Sequence, residues 1–307
     1  MKRTVAVRQR KRVPLSVSDQ RLALLMVAPA AVLLLAFLCY PLVLAVRDGF
    51  FDVNALTGAR AFVALENYAA VVADERIHAA FGRTILWTVA NLVLQMVAGV
   101  AIALLLNAGL RGQALARMLV LVPYVVPAVV VALIFRFLFN DITGAANYLV
   151  QAIGLVAEPV PFLSSPDLVM WTLVAVNSWR LTPFVVIVVL ARLQTVPGEL
   201  HDAAAVDGAG MWQRFAHVTL PWLAPVLIVT ALLRTIWSAY DYDLPYLLAF
   251  GGPLDSSTTL PMVIRTLAFT EQQIGMASAL AVCMAILLLA AAYFYLRSYR
   301  SRERHLG

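Results

Sequence analysis

Two short sets of polar residues interrupt otherwise apolar stretches. Arg234, Trp237, Ser238 and Asp241 recur at i, i+3, i+4 and i+7, while Asn177, Arg180 and Phe184 recur at i, i+3 and i+7. If both stretches are helical, each set forms one stripe. A stripe combining an aromatic plane with hydroxyl, guanidinium and carboxylate suits a sugar, whose ring faces stack on aromatics while its hydroxyls take directional hydrogen bonds. The same residues would serve to join helices, with Arg234 and Asp241 pairing across a bundle, and spacing alone leaves both readings open. Ionisable groups inside a membrane span are costly and face a bundle interior or a cavity. Arg180 and Arg234 are therefore the residues to locate first. Asp241 and Asp243 could neutralise both, so no anionic preference is read from the arginines. Asn91, Gln95 and Arg136 are further, weaker candidates for substrate contact, read first as helix-to-helix bonding or interfacial residues.

Other chemistries find little support. His78, His201, His217 and His305 all fall in loops or tails, and no cluster at catalytic spacing accompanies the apolar runs, so a membrane-embedded enzyme is disfavoured. No metal-ligand spacing occurs. A Gly-x-x-x-x-Gly-Lys-Ser/Thr phosphate loop is absent, so any ATP and magnesium would be bound by a partner rather than by this chain, which is expected to hold no cofactor. Cys39 and Cys283 sit in apolar runs and behave as small hydrophobes, so no disulfide is expected.

The elements that must position these stripes are membrane helices. Of the 307 residues, 62% are hydrophobic and 13% charged, with mean hydropathy +0.85, outside the range of soluble domains. A hydrocarbon core about 30 Å thick takes about 20 apolar residues. Six runs have that length: Leu22 to Val46, Thr84 to Leu106, Met118 to Phe139, Leu168 to Leu190, Trp222 to Leu244 and Ile274 to Leu296. Each is expected to be helical, because lipid cannot satisfy open backbone groups. The first run exceeds a secretory h-region and is read as a retained span.

Net charge is +6, but no basic patch with interleaved aromatics marks a nucleic-acid site. The positive residues instead sort by face. Lys2, Arg3, Arg8, Arg10, Lys11, Arg12 and Arg21 group with Arg111, Arg117, Arg192 and Arg214 and with Arg297, Arg300, Arg302 and Arg304. The opposite loops hold only Arg47, Arg60, Arg76, Arg83 and Arg265. The positive-inside rule then places both termini in the cytoplasm. The expected architecture is all-α: a basic tail at 1–21, a transmembrane domain of six spans at 22–296 and a second basic tail at 297–307. The external segment from Asn140 to Asp167 reads as an irregular cap because it carries Gly144, Gly154, Pro159, Pro161 and Pro166.

The longest cytoplasmic loop, about 192–221, is the most informative segment. Pro197 suits a helix start, Glu199 and Asp202 favour the positive end of its dipole, and the alanine run has high helix propensity. Gly208 then permits a turn that a Cβ would resist, before a second short segment with Trp212 and Phe215, ending at Leu220-Pro221. The expectation is helix, sharp turn, helix, with Ala-rich and aromatic surface offered to a partner or packed on its own chain.

Asp202-Ala203-Ala204-Ala205-Val206-Asp207-Gly208-Ala209, followed by Trp212, Phe215 and Leu220-Pro221, resembles the coupling-loop signature of ABC importer permeases, with Asp202 where glutamate is usual. Tyr40-Pro41, the segment from Phe62 to Tyr68 and Gly251-Gly252-Pro253 extend the likeness to the first permease subunit of the carbohydrate branch, similar to those of maltose and glycerol-3-phosphate systems. The resemblance implies a non-catalytic inner-membrane subunit of a sugar importer. Its implied partners are a second six-span permease, a homodimeric cytoplasmic ATPase that receives Glu199, Asp202, Ala203, Ala204, Asp207, Gly208, Ala209, Trp212 and Phe215, and an external solute-binding lipoprotein. It also implies substrate contacts at positions matching Arg180, Leu181, Phe184, Arg234, Trp237, Ser238 and Asp241. A permease for another solute, such as an amino acid or phosphate, fits the shared loop too. A secondary transporter is disfavoured because neither ion-coupling groups nor an internal repeat is evident.

Overall fold

In the computed structural model, residues 17–54, 57–109 and 111–303 are described. The basic residues at 2–12 and Arg304 lie outside them. Helices α1 (Val17–Leu34) and α2 (Tyr40–Asp48) are joined without a break by a π turn at Leu35–Cys39. A small hairpin follows, β1 (Phe51–Val53) against β2 (Arg60–Phe62), with Phe51 opposite Phe62. Then come α3 (Glu66–Ala73), α4 (Glu75–Asn107), α5 (Gln113–Val125), α6 (Ala128–Leu138), α7 (Ala145–Ala152) and α8 (Val169–Leu193). The second half holds α9 (Gly198–Val206), α10 (Met211–Arg214), α11 (Leu220–Ala239), α12 (Asp243–Ala249), α13 (Leu260–Arg265) and α14 (Ile274–Glu303).

Among the described residues, five helices are long and apolar enough to cross a membrane, or six if one bent pair counts as a span. That pair corrects the third expected run. Met118 to Phe139 is not one helix but α5 and α6, bent by 95°. Val126 at the break is extended, with φ −73° and ψ 125°. The cause is Pro127, which disfavours helical geometry in the residue before it and donates no hydrogen bond.

The fifth run differs at both ends. Its helix begins at Met211, eleven residues before the expected start at Trp222, and runs through a π turn at Phe215–Thr219 into α11. The π turn ends just before Leu220-Pro221, where proline offers no N–H to the ladder. At its other end α11 stops at Ala239 instead of Leu244. Pro245 explains this: inside a continuous helix its ring would meet the carbonyl of Asp241, whereas within the first turn of α12 it is tolerated. Residues 297–303 of the basic tail continue α14. The expected irregular cap from 140 to 167 does contain a helix, α7, pinned where the buried Asn147 side chain donates to the Asp141 and Val160 carbonyls and accepts from the Val160 N–H.

The core forms along α4 and α8, and α11 packs on both. Trp87 is fully buried and its Nε1 donates to the Ser238 carbonyl at 2.9 Å, joining α4 to α11. Gly99 lets α4 and α8 approach closely: a Cβ there would lie 2.5 Å from Val185 Cγ1. Such small-residue contacts substitute for the hydrophobic drive that lipid removes. α2 packs against α14, whereas nearly all the described side chains of α1 are exposed along an apolar surface suited to lipid.

Candidate functional site

Between α4, α8 and α11 the polar residues divide into two groups. The first is fully buried. Arg234 is only 1% exposed, and its Nε donates to Gln95 Oε1 at 2.6 Å. Gln95 Nε2 donates to Asn91 Oδ1 at 3.1 Å, and the same oxygen accepts from Asn177 Nδ2 at 2.9 Å and Ser178 Oγ at 3.3 Å. Asn91 in turn donates to the Trp87 carbonyl. This chain of bonds ties three helices together and gives Arg234 an amide acceptor rather than a carboxylate. Asn91 and Gln95 thus perform the helix-to-helix bonding expected of them. Arg136 instead lies over the Phe250 ring, 4.8 Å from its centroid.

The second group faces outward from the same helices. Trp237 is 36% exposed and packs against Phe184, with centroids 5.1 Å apart. Phe184 stacks on Tyr124 of α5 at 6.3 Å. The expected stripe on α11 is therefore shorter than the spacing suggested. Ser238 is buried, its Oγ 3.5 Å from Arg234 Nη2. Asp241 lies beyond the end of α11, and its Oδ2 approaches Arg180 Nη2 at 3.9 Å rather than Arg234. Leu181, half-buried, is beside Arg180 on α8. Asn177 turns to Asn91, so the α8 stripe also splits between the buried network and the open face.

The structure brings Arg234, Trp237, Arg180, Phe184 and Asp241 close together, in two different structural roles. Tyr124 was missed. Its only signal was Pro127, which turns the chain after α5 and separates α5 from α6.

The loop residues form the expected two helices. α9 carries Glu199 in its first turn and Asp202 in the next. Its C-terminus is closed by bonds from the Asp207 and Gly208 N–H groups to Ala203 and Ala205 and from Ala209 to Ala204. Gly208 has φ +80°, the left-handed region that glycine reaches without steric penalty. Gly210 N–H then bonds Gln213 Oε1 at 2.8 Å and starts the second helix. Glu199, Asp202, Ala203, Asp207 and Gly208 are exposed, Ala204, Ala209 and Phe215 half-buried. Val206 and Trp212 stand 88% and 76% exposed. Behind the loop, Arg192 Nε donates to the Trp222 carbonyl and its guanidinium lies over the Trp222 ring, while Trp222 Nε1 donates to Thr195. These contacts fasten the end of α8 to the start of α11.

A larger cavity, about 490 Å³, lies away from this loop at the N-terminus of α4, against α12 and α13. Arg76, Tyr242, Tyr246 and Arg265 line it, with the Arg265 guanidinium 5.0 Å from the Tyr246 centroid. Arg76 bridges Asp74 and Glu271, each at 2.9 Å, and its hydrogen bonds hold the Asp74 carboxyl below its ordinary range.

The family of binding-protein-dependent transport system inner membrane components matches residues 95–304. The chain is 34% identical over 94% of its length, and 94% of the other protein, to the sulfoquinovosyl glycerol transport system permease protein of Agrobacterium fabrum. It is 31% identical over 93% of its length, and 96% of the other, to the trehalose/maltose transport system permease protein of Thermococcus litoralis. In fold it is similar to a chain of a bacterial ABC transporter involved in the import of the acidic polysaccharide alginate, with TM-score 0.80 at 23% identity, covering 93% of this chain and 97% of that one. An apolar helical bundle, an outward-turned loop and this match over most of the sequence agree: the chain belongs to the binding-protein-dependent transport system inner membrane component family.

Proposed function

We propose that this chain is the permease subunit of an ATP-driven sugar importer, forming half of the translocation pathway within a six-span membrane domain whose termini both face the cytoplasm. The observation that carries this reading is the helix running unbroken from Met211 to Ala239. One end presents Trp212, beside the Gly208 turn, to a cytoplasmic ATPase. The other carries Trp237 on the open face with Phe184 and Tyr124. Movement imposed on the turn by a closing ATPase therefore reaches the pathway through a rigid lever. Two relatives above 30% identity are named for sugar systems, which supports a sugar as the solute.

The working complex contains a second six-span permease completing the pathway, a homodimeric ATPase that binds ATP and magnesium, and an external solute-binding lipoprotein that delivers to the outer mouth near Arg265. Glu199, Asp202, Ala203, Ala204, Asp207, Gly208, Ala209, Trp212 and Phe215 engage the ATPase. Arg180, Leu181, Phe184, Trp237 and Asp241 contact the passing solute, while Arg234 and Ser238 hold the helices that present them.

Trp237→Ala tests this division. Stacking of an aromatic on a ring contributes on the order of 1 kcal/mol, so uptake should fall about fivefold while membrane abundance and ATPase assembly stay at wild-type levels. Unchanged uptake, or a fall in uptake that merely tracks lost protein, would remove Trp237 from the pathway.

A further inference from the structure

The open face does not end at Phe184. Arg180, Phe184, Ile187 and Ala191 follow at steps of four, three and four residues, so one face of α8 runs about 16 Å along the helix toward Gln194. On α5, Arg117, Val120 or Leu121, and Tyr124 follow the same rule, and the Tyr124–Phe184 ring contact links the two helices midway. Between them lies an apolar groove of about 260 Å³, with Arg117 and Gln194 as its polar residues. The groove's Val120 and Leu121 precede Tyr124 on α5 and its Ile187 follows Phe184 on α8, so it continues the line of the aromatic pair along both helices as a lane that runs from the level of Arg180 to Arg117.

These two arginines lack sufficient partners. The Nε atoms of Arg180 and Arg117 are both buried with no hydrogen-bond partner among the described residues. Arg180 meets Asp241 only at 3.9 Å, and Arg117 pairs with no carboxylate among them. The sequence offered Asp241 and Asp243 as neutralising partners for Arg180 and Arg234. In the structure Asp243 is exposed at the start of α12 and forms no ion pair among the described residues, and Arg234 uses Gln95. Three guanidinium groups on or behind the lane face one carboxylate. Burying an unpaired donor costs free energy that an anionic ligand recovers with charge-assisted bonds.

Resting on the reading of this chain as a sugar permease, we propose that the lane selects a saccharide bearing an anionic substituent. The ring passes over Tyr124, Phe184 and Trp237, and the anion is handed from Arg180 to Arg117. Both Tyr124 and Arg117 thereby become specificity residues, the first by the sugar face and the second by charge.

The test uses the complete importer in proteoliposomes with two matched probe series. One is glucosyl glycerol, glucuronosyl glycerol and sulfoquinovosyl glycerol, which differ only at C6. The other is galactobiose against digalacturonate. The wild type is expected to take up the acidic member of at least one series about tenfold faster than its neutral counterpart, and Arg180→Gln should reduce that ratio about tenfold. Arg117→Gln should lower the ratio in the same direction, and Arg180→Lys, which keeps the charge, should retain more of it than Arg180→Gln. A purely structural arginine would lower uptake of both members alike and leave the ratio fixed, which overturns the proposal. Preferential uptake of the neutral members also overturns it while leaving the sugar reading intact. If no glycoside of either series is taken up or stimulates hydrolysis in a complex that assembles, the sugar reading fails together with the proposal.

Discussion

Gly208→Val is expected to lower coupled ATP turnover at least tenfold while leaving the permease in the membrane. Gly208 has φ +80°, and an L-residue in the left-handed region costs roughly 1 to 2 kcal/mol, more when β-branched. Nothing lies within 4 Å of the position a Cβ would take, so the substitution acts through backbone geometry and not through a clash. Relief requires rotating the turn, which would displace α9 relative to the Met211–Ala239 helix and move Val206 and Trp212 out of register with the ATPase surface proposed to receive them. The buried network and the α4–α8 contact are remote from this turn, so membrane abundance is retained. The expected result is at least a tenfold loss of substrate-stimulated hydrolysis in the purified complex, with reduced co-purification of the ATPase. Gly208→Asn is the informative control, because asparagine visits the left-handed region and should keep a substantial part of the activity. Wild-type assembly and coupled hydrolysis in the valine variant would mean that force does not pass through this turn.

The second large effect is structural. Gly99→Ala places a methyl group 2.5 Å from Val185 Cγ1, with the Val186 backbone N–H 3.5 Å away. The neighbour is a short β-branched side chain fully buried in the α4–α8 interface, so it cannot swing aside, and the helices must separate. Overpacking of this kind costs about 1 to 3 kcal/mol. Separation would also strain the bonds from Asn91 to Asn177 and Ser178, which cross the same interface. Membrane abundance and the thermal midpoint of the purified complex should both drop. Because the Val185 Cβ would itself lie 2.6 Å from the new methyl, Val185→Ala should restore only a small part of the loss, whereas Val185→Gly, which clears both close atoms, should restore more of it, as coupled neighbours do in a double-mutant cycle. If the single variant is as stable as the wild type, Gly99 is not the contact that sets the helix spacing.

How much of this was legible in the sequence follows from which forces are local. Run length located most of the membrane helices because lipid imposes it on the chain directly. The loop was legible for a similar reason: Pro197, the alanine run and Gly208 each dictate their own backbone. The bend at Val126 and the early end of α11 were written at Pro127 and Pro245, but hydropathy across each run masked them, since an apolar window scores alike whether straight or broken. Which side of a stripe Arg234 and Trp237 take could not be read from periodicity. Positions three residues apart on α11 point one toward Gln95 on α4 and the other toward Phe184 on α8, and only the packing of three helices separates them. Tyr124 was hidden because it joins the cluster from a helix whose orientation the 95° bend sets.

The measurement that bears most directly on the whole account is solute accumulation in proteoliposomes containing this chain with its partner permease and ATPase, run with and without ATP and with and without the ligand-loaded binding protein. Accumulation against a gradient is predicted only when ATP and the loaded binding protein are both present, accompanied by a several-fold rise in hydrolysis. Accumulation driven by an ion gradient in the absence of ATP would contradict the account and assign the chain to a different mechanism of transport.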